Sequence, residues 1–149
     1  MTTLLEAGAP NTSDWVLIFE LAVGLLLIVG MFLVRRGYIR AHMYIQSSMI
    51  LINIPVVLWW MVPEYMLYVW PGLPAGIHME FYWVPTVMLV AGIAAEVLGI
   101  YIILVATTSL IPERFRFRNY KLWMRSELIL WWVVLLAGIS TYYVWYSPS

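Results

Sequence analysis

Residues 81–111 read FYWVPTVMLVAGIAAEVLGIYIILVATTSLI, and Glu96 is their one charged side chain. A helix needs about 20 consecutive apolar residues to cross the hydrocarbon core of a bilayer, so this stretch is long enough to span a membrane. Three other apolar runs of comparable length lie at residues 15–34, 43–62 and 127–146. The sequence therefore predicts an all-α fold, an integral membrane four-helix bundle that forms a single domain.

The overall composition supports a membrane location. Hydrophobic residues make up 64% of the chain and charged residues 11%, whereas about 25% of the residues of a soluble domain are charged. A small soluble core could not bury so much apolar surface. Acidic residues, Glu6 and Asp14, precede the first apolar run, so we do not expect a cleaved signal peptide. The chain has no cysteine, which excludes disulfides and thiolate metal sites.

All eight basic residues lie in two short segments between the predicted spans. The first segment contains Arg35, Arg36 and Arg40, and the second contains Arg114, Arg116, Arg118, Lys121 and Arg125. Short loops rich in Lys and Arg are typical of the cytoplasmic side of a membrane. Because four spans make an even number of crossings, we expect a multi-pass protein of the cell membrane with both termini extracytoplasmic.

The segment between the second and third spans is predicted to be an outer loop. Residues 63–80 contain Pro63, Pro71 and Pro74, and prolines disfavour a continuous helix. We therefore expect an ordered turn or a short interfacial element here.

The two basic segments also suggest an internal repeat. Residues 36–47, RGYIRAHMYIQS, can be aligned with residues 115–126, FRFRNYKLWMRS, and each block leads into the next span. A repeat of this kind predicts two tandem helical hairpins in the same orientation. The alternative is that any basic loop before a span has this appearance.

Polar residues inside the spans are the first candidates for function, because charged groups are costly there and face other helices or water. Glu96 lies near the middle of the third span, and Asn53 lies at a comparable depth in the second. At comparable depth the two side chains could form a hydrogen bond, either as a structural lock or as part of a proton path. Glu20 is a further intramembrane carboxyl, in the outer third of the first span.

His42 and Glu127 lie at the predicted inner boundary. His42 is a candidate ligand for haem or a metal, and the alternative is a polar anchor at the membrane surface. Glu127 is expected to pair with a basic neighbour such as Arg125 or Arg40.

A copper site is the remaining candidate for metal binding. Glu64, Met66, His78 and Met79 lie in or beside the predicted outer loop. Thioether and imidazole ligands suit copper, whereas methionines in so apolar a chain also fill gaps between helices. His42 and His78 fall on opposite sides of the predicted membrane, so they could not share one haem.

The sequence does not predict an enzyme. It contains no Gly-rich phosphate loop, no His-Glu-x-x-His helix and no plausible Ser-His-Asp set. The short basic loops favour anionic lipid head groups over nucleic acid as partners. A stripe of small residues on the third span permits close approach of other helices, including those of other integral membrane subunits. The stripe comprises Ala91, Gly92, Ala95 and Gly99.

Two parts of the chain resemble a known family. Residues 35–42, RRGYIRAH, and the stretch from Arg116 to Trp123 with the aromatic-rich span after it are similar to a family of small membrane proteins that includes the haem-copper oxidase maturation factor CtaM. The family carries further histidines at places that correspond here to Glu64, Ala94 and Tyr120 or Lys121. His42 alone matches, so the resemblance implies a four-helix scaffold that has lost any haem or copper site.

These observations predict a non-catalytic accessory subunit or assembly factor of a larger respiratory or metal-dependent membrane complex, of the haem-copper oxidase or copper oxygenase type. The alternative is a small b-type haem protein or a proton-coupled redox or transport protein in its own right. No cofactor is predicted, and haem and copper are the candidates if one binds.

Overall fold

Four long helices, joined by short connections, make up most of the chain. The computed structural model describes the backbone of residues 11–146 and the side chains of residues 14–146. Helix α1 spans Asn11–Arg35, α2 spans Ile39–Gly76, α3 spans Glu80–Thr107 and α4 spans Tyr120–Tyr146. All four are long and apolar enough to cross a membrane. The predicted all-α four-helix bundle is confirmed, and the fold is compatible with a multi-pass membrane protein.

Many apolar side chains of the long helices point outward, whereas two carboxyl groups in the middle of these helices point inward. Leu25, Val90 and Leu136 keep 60% or more of their surface exposed, whereas Glu20 and Glu96 are 5% and 8% exposed. This distribution is the reverse of that in a soluble protein, where charged groups face water. In lipid, an apolar exterior is favourable and polar groups are satisfied inside the bundle.

Neighbouring helices run antiparallel around the bundle. The α1–α2 and α2–α3 connections are the short turns 36–38 and 77–79, which place successive helices side by side. Helix α3 packs most extensively against α4, α1 contacts α2 and α4, and α2 contacts α3. We call the end with turn 36–38 and segment 108–119 the basic end, and the opposite end the terminal end. The pairs α1–α2 and α3–α4 pack as the two predicted helical hairpins. The internal repeat that would relate them stays a prediction.

The core lies where all four helices meet. Two residues show how tightly it packs: Trp131 is 2% exposed and Ala95 is completely buried. Ala95 belongs to the predicted small-residue stripe, so this part of the stripe serves packing within the chain. The core residues are Val23, Leu27, Met49, Ile50, Ala95, Trp131 and Val134.

Helix α1 ends at a backbone position that only glycine adopts without strain. Gly37 has a φ of +86°, a conformation that costs other residues about 1–2 kcal/mol. The amide of Gly37 donates to the Val34 carbonyl at 3.1 Å, and the amide of Tyr38 donates to the Leu33 carbonyl at 2.9 Å. This pair of bonds is a Schellman motif, which satisfies carbonyls at the helix end.

Helix α2 extends through most of the segment that was predicted to be an outer loop, so that prediction is wrong. The second span was expected to end at residue 62, but the helical path continues to Gly76. Two π-helical turns, Val57–Met61 and Tyr65–Val69, and the 3-10 turn Trp70–Gly72 interrupt its α-helical geometry. At the ends of the π turns, the amide of Val62 donates to the Val57 carbonyl and the amide of Trp70 to the Tyr65 carbonyl, in each case five residues back. Such local changes in the helical turn accommodate prolines. Proline has no amide hydrogen to donate, and the carbonyl that loses this donor can accept a hydrogen bond from another group.

The boundaries of the last two spans also differ from those predicted. Helix α3 ends at Thr107 rather than at residue 111, because Thr108 adopts an extended conformation. Helix α4 begins at Tyr120, seven residues before the predicted span, because its first two turns carry polar and charged residues that hydropathy excludes. In the segment between α3 and α4, the Phe117 ring packs against the rings of Trp123 and Tyr101 at the basic end.

Candidate functional site

Three buried carboxyl groups from three helices define the candidate site. Glu20 of α1, Glu96 of α3 and Glu127 of α4 are 5%, 8% and 7% exposed. At a rise of 1.5 Å per residue, they lie about 22, 16 and 10 Å from the basic-end terminus of their helices. We call these three residues the carboxyl row. Glu96 is close enough to both Glu20 and Glu127 to act on them electrostatically.

Asn53 of α2 joins the row at Glu96. The Asn53 amide nitrogen Nδ2 donates to Glu96 Oε1 at 2.5 Å, and both side chains are buried. The structure thus places the two residues in the contact that their depths predict. Since this bond uses the Asn53 nitrogen and one Glu96 oxygen and leaves the other Glu96 oxygen without a partner among the described residues, it is compatible with both the lock and the proton path.

Glu127 is part of the row and is buried inside the bundle. Trp131 Nε1 donates to Glu127 Oε1 at 2.8 Å. A Cβ atom at Gly99 would lie 2.7 Å from the same oxygen, so the glycine provides space for the carboxyl group. The expected pairing with Arg125 or Arg40 is wrong. Residues two apart on a helix do not face each other, whereas Trp131, four residues on, faces the core beside Glu127.

Several oxygens of the site have no hydrogen-bond partner among the described residues. They are Glu20 Oε1, Asn53 Oδ1, Glu96 Oε2 and Glu127 Oε2. A buried polar atom without a partner is costly, and a native structure usually satisfies it with water, a proton or a bound ion.

Basic side chains lie away from the row. Seven of the eight are exposed, and Arg116 is half-buried and donates to the Val105 carbonyl at the end of α3. The row is therefore not neutralised by Lys or Arg. All eight basic residues gather at the basic end: Arg35, Arg36, Arg40, Arg114, Arg116, Arg118, Lys121 and Arg125.

Two cavities extend from the row toward the terminal end. The larger, of about 90 Å³, is lined by residues of all four helices and includes Glu20 and Glu64. The smaller, of about 10 Å³, lies deeper and is lined by Glu20 and Asn53 among others. Because Glu20 borders both, the row is continuous with the larger cavity, which we call the terminal cavity.

A second buried contact, between the first and last helices, was missed by sequence reasoning. Tyr142 donates its hydroxyl proton to Asp14 Oδ1 at 2.5 Å, and Asp14 is 6% exposed. Asp14 directly precedes the first apolar run, where acidic residues usually face water. Only the proximity of the two helices at the terminal end reveals its burial.

The structure places His42 against the first helix. Its Nδ1 donates to the Gly30 carbonyl oxygen at 3.0 Å. Gly30 permits this approach, since a Cβ there would lie 3.2 Å from Nδ1. This contact fits the anchoring role that was the alternative to a haem or metal ligand.

The candidate copper ligands are not gathered into one site. Glu64 lines the terminal cavity, whereas Met66, His78 and Met79 are exposed. Among residues 14–146, no group of three or more His, Asp or Glu side chains is arranged to hold a metal ion.

Comparison with known proteins gives no further guide. No family model matches the chain, and no curated protein or solved structure is significantly similar to it. The resemblance of residues 35–42 and of the C-terminal half to the family that includes CtaM stays a prediction.

Proposed function

We propose that the protein is a small, non-catalytic membrane subunit that binds and passes protons inside the bilayer, as part of a larger respiratory or metal-dependent complex. The carboxyl row is the observation that supports this function. Glu20, Glu96 and Glu127 come from three helices and differ in depth by about 6 Å per step. Intramembrane acids that face a bundle interior are typical of proton relays.

The chemistry of the row favours protons over other ligands. Each carboxyl can hold one proton, and apolar surroundings make the uncharged form the cheaper one to bury. The unpaired oxygens at Glu20, Glu96 and Glu127 are positions where a proton or a water molecule would bind. The two cavities beside Glu20 supply space for such water toward the terminal end.

A purely structural lock explains less of this arrangement. A lock requires Asn53 and Glu96, which hold each other directly. It gives no reason for burying Glu20, whose Oε1 has no hydrogen-bond partner among residues 14–146, or for a further carboxyl at Glu127. Two further acids within electrostatic reach of Glu96 destabilise a bundle unless protons or bound waters relieve the repulsion.

The small size of the bundle is the reason for placing it in a larger complex. Four helices offer little room for an alternating-access carrier, whereas a proton-carrying subunit beside a redox enzyme needs only a path. The resemblance to the family that includes CtaM favours a haem-copper oxidase setting, and a copper oxygenase is the related alternative. Co-purification with other integral membrane subunits in mild detergent is the expected result. Isolation as a lone monomer from native membranes would argue against this setting.

We further propose that the basic end faces the cytoplasm. Its eight basic residues would then contact anionic lipid head groups, which attract Lys and Arg near the membrane surface. Both chain ends, which lie outside the described residues, would be extracytoplasmic.

Infrared spectroscopy of the purified protein in lipid nanodiscs tests proton binding directly. A protonated carboxyl group has a C=O stretch that is separate from the carboxylate bands. We expect part of this band to appear and disappear reversibly as pH is varied. The variants E20Q, E96Q and E127Q should each remove a component of it, because glutamine keeps the shape and cannot titrate.

Glu113 provides the matched control. It is exposed in the segment between α3 and α4, so E113Q should leave the buried components unchanged. A buried-carboxyl band that stays constant across the whole pH range in the wild-type protein would identify the row as a structural lock and reject the proposed function.

A further inference from the structure

We propose that the terminal cavity binds a small organic ammonium ion of the trimethylammonium type. This site goes beyond the proton-binding function and shares only Glu20 with it, because its occupant would interact with Glu20 and Glu64 and not with Glu96 or Glu127. Its walls come from all four helices and combine acidic, aromatic and aliphatic side chains.

The charge of the lining favours a cation. Glu20 and Glu64 are the two ionisable acids among the residues that line the terminal cavity, and no basic residue lines it. The Glu20 side chain is only 5% exposed, and its Oε1 has no hydrogen-bond partner among the described residues. A buried acceptor at the wall of a cavity is a position where a positive group gains the most, since water screens it little.

The aromatic lining favours an organic cation over a metal ion. Trp60, Tyr65 and Trp145 line the cavity, and the electron-rich faces of such rings attract ammonium groups, tryptophan most strongly. Trp60 lies in one π-helical turn of α2 and Tyr65 in the other. Hard metal ions instead require several oxygen ligands, and no acidic or histidine cluster of that kind is present among residues 14–146.

The size of the site limits the ligand to a compact head group. A cavity of about 90 Å³ matches a head such as trimethylammonium rather than a large polycyclic cation. Met61, Met88 and Leu89 provide apolar contacts for its methyl groups. The same chemistry occurs in free choline and in the head group of phosphatidylcholine, so either could be the source.

Isothermal titration calorimetry with choline tests the site. The protein is placed in nanodiscs of phosphatidylglycerol, which has no ammonium group. The matched probe is 3,3-dimethylbutan-1-ol, the uncharged carbon isostere of choline. We expect choline to bind and the isostere to bind more weakly. E20Q should weaken choline binding about tenfold or more, because the charge interaction is lost, and Trp60→Leu should weaken it about two- to fivefold.

Repeating the titration in phosphatidylcholine nanodiscs distinguishes the two sources. Loss of free choline binding there would indicate that the lipid head group occupies the site, and unchanged binding would indicate a soluble ligand. The control variant E113Q should bind choline like the wild type, and thermal unfolding should show that E20Q is folded. Absence of choline binding would overturn the proposal. So would binding of the isostere as tight as that of choline, or choline binding by E20Q as tight as by the wild type. The infrared titration of E96Q and E127Q tests proton binding independently of this result.

Discussion

At the scale of single residues, the Asn53–Glu96 bond has the largest consequence. It joins α2 to α3 at mid-bundle, with the amide nitrogen 2.5 Å from the carboxyl oxygen. In water such a bond contributes little net stability, because water competes for both partners. Inside the bundle, loss of one partner leaves the other buried and unsatisfied.

Replacing Asn53 by leucine should therefore destabilise the protein. Asn53→Leu removes the donor to Glu96 Oε1, and we expect a loss of about 1–3 kcal/mol in the free energy of unfolding. Unfolding in mixed micelles measures it. The double variant N53L/E96L should recover part of this loss, because both polar groups are then replaced by apolar ones. A double variant less stable than N53L would show that the bond is not the source of the effect.

At the scale of elements, α3 has two glycines in different surroundings. A Cβ at Gly99 would lie 2.5 Å from Ile50 Cδ1 and 2.7 Å from Glu127 Oε1. At Gly92 the nearest side-chain atom would be Val134 Cγ2, at 4.0 Å. Gly99 therefore sets the distance between α3 and the helices that carry Ile50 and Glu127, and Gly92 does not.

The two glycine-to-alanine substitutions should have opposite effects. In a helix, alanine is favoured over glycine by about 1 kcal/mol, so Gly92→Ala should raise the stability of the bundle by up to that amount. Gly99→Ala should lower it, because Ile50 and the Glu127 carboxyl must move. Unfolding in mixed micelles compares the two variants directly. Equal stabilisation by both would mean that the Gly99 contact relaxes without cost.

At the scale of the whole molecule, the two ends of the bundle differ in charge and in aromatic content. The basic end carries all eight basic residues. The terminal end contains the cavity and an aromatic group in which Trp145 stacks on Phe81 and contacts Tyr68. The proposed orientation rests on this asymmetry, because short segments rich in Lys and Arg are typical of the cytoplasmic side of a membrane.

Cysteine labelling tests this orientation, since the chain has no cysteine of its own. Arg36, Arg118 and His78 are exposed, the first two at the basic end and the third at the terminal end. A membrane-impermeant maleimide added to intact cells should label H78C and leave R36C and R118C unlabelled until the cells are opened. Labelling of R36C or R118C from outside would mean that the molecule is inverted.

The sequence alone determined that the chain forms four long apolar helices and that Asn53 and Glu96 lie at comparable depth. Apolar run length defines a span, the positions of Arg and Lys define the ends, and the constant rise of a helix then gives depth by counting. Four helices and the Asn53–Glu96 contact followed from these rules. The α2 prolines were misjudged, because a membrane helix can pass a proline by changing its turn.

Only the tertiary structure decided which side of each helix faces inward. Hydropathy is nearly uniform around a membrane helix, since lipid and core are both apolar, so the pattern does not show its rotation. Packing set that rotation, and it buried Glu127 beside Trp131 and Asp14 beside Tyr142. The terminal cavity depends on the same cause, because it is formed by residues of four helices that meet only when the bundle is assembled.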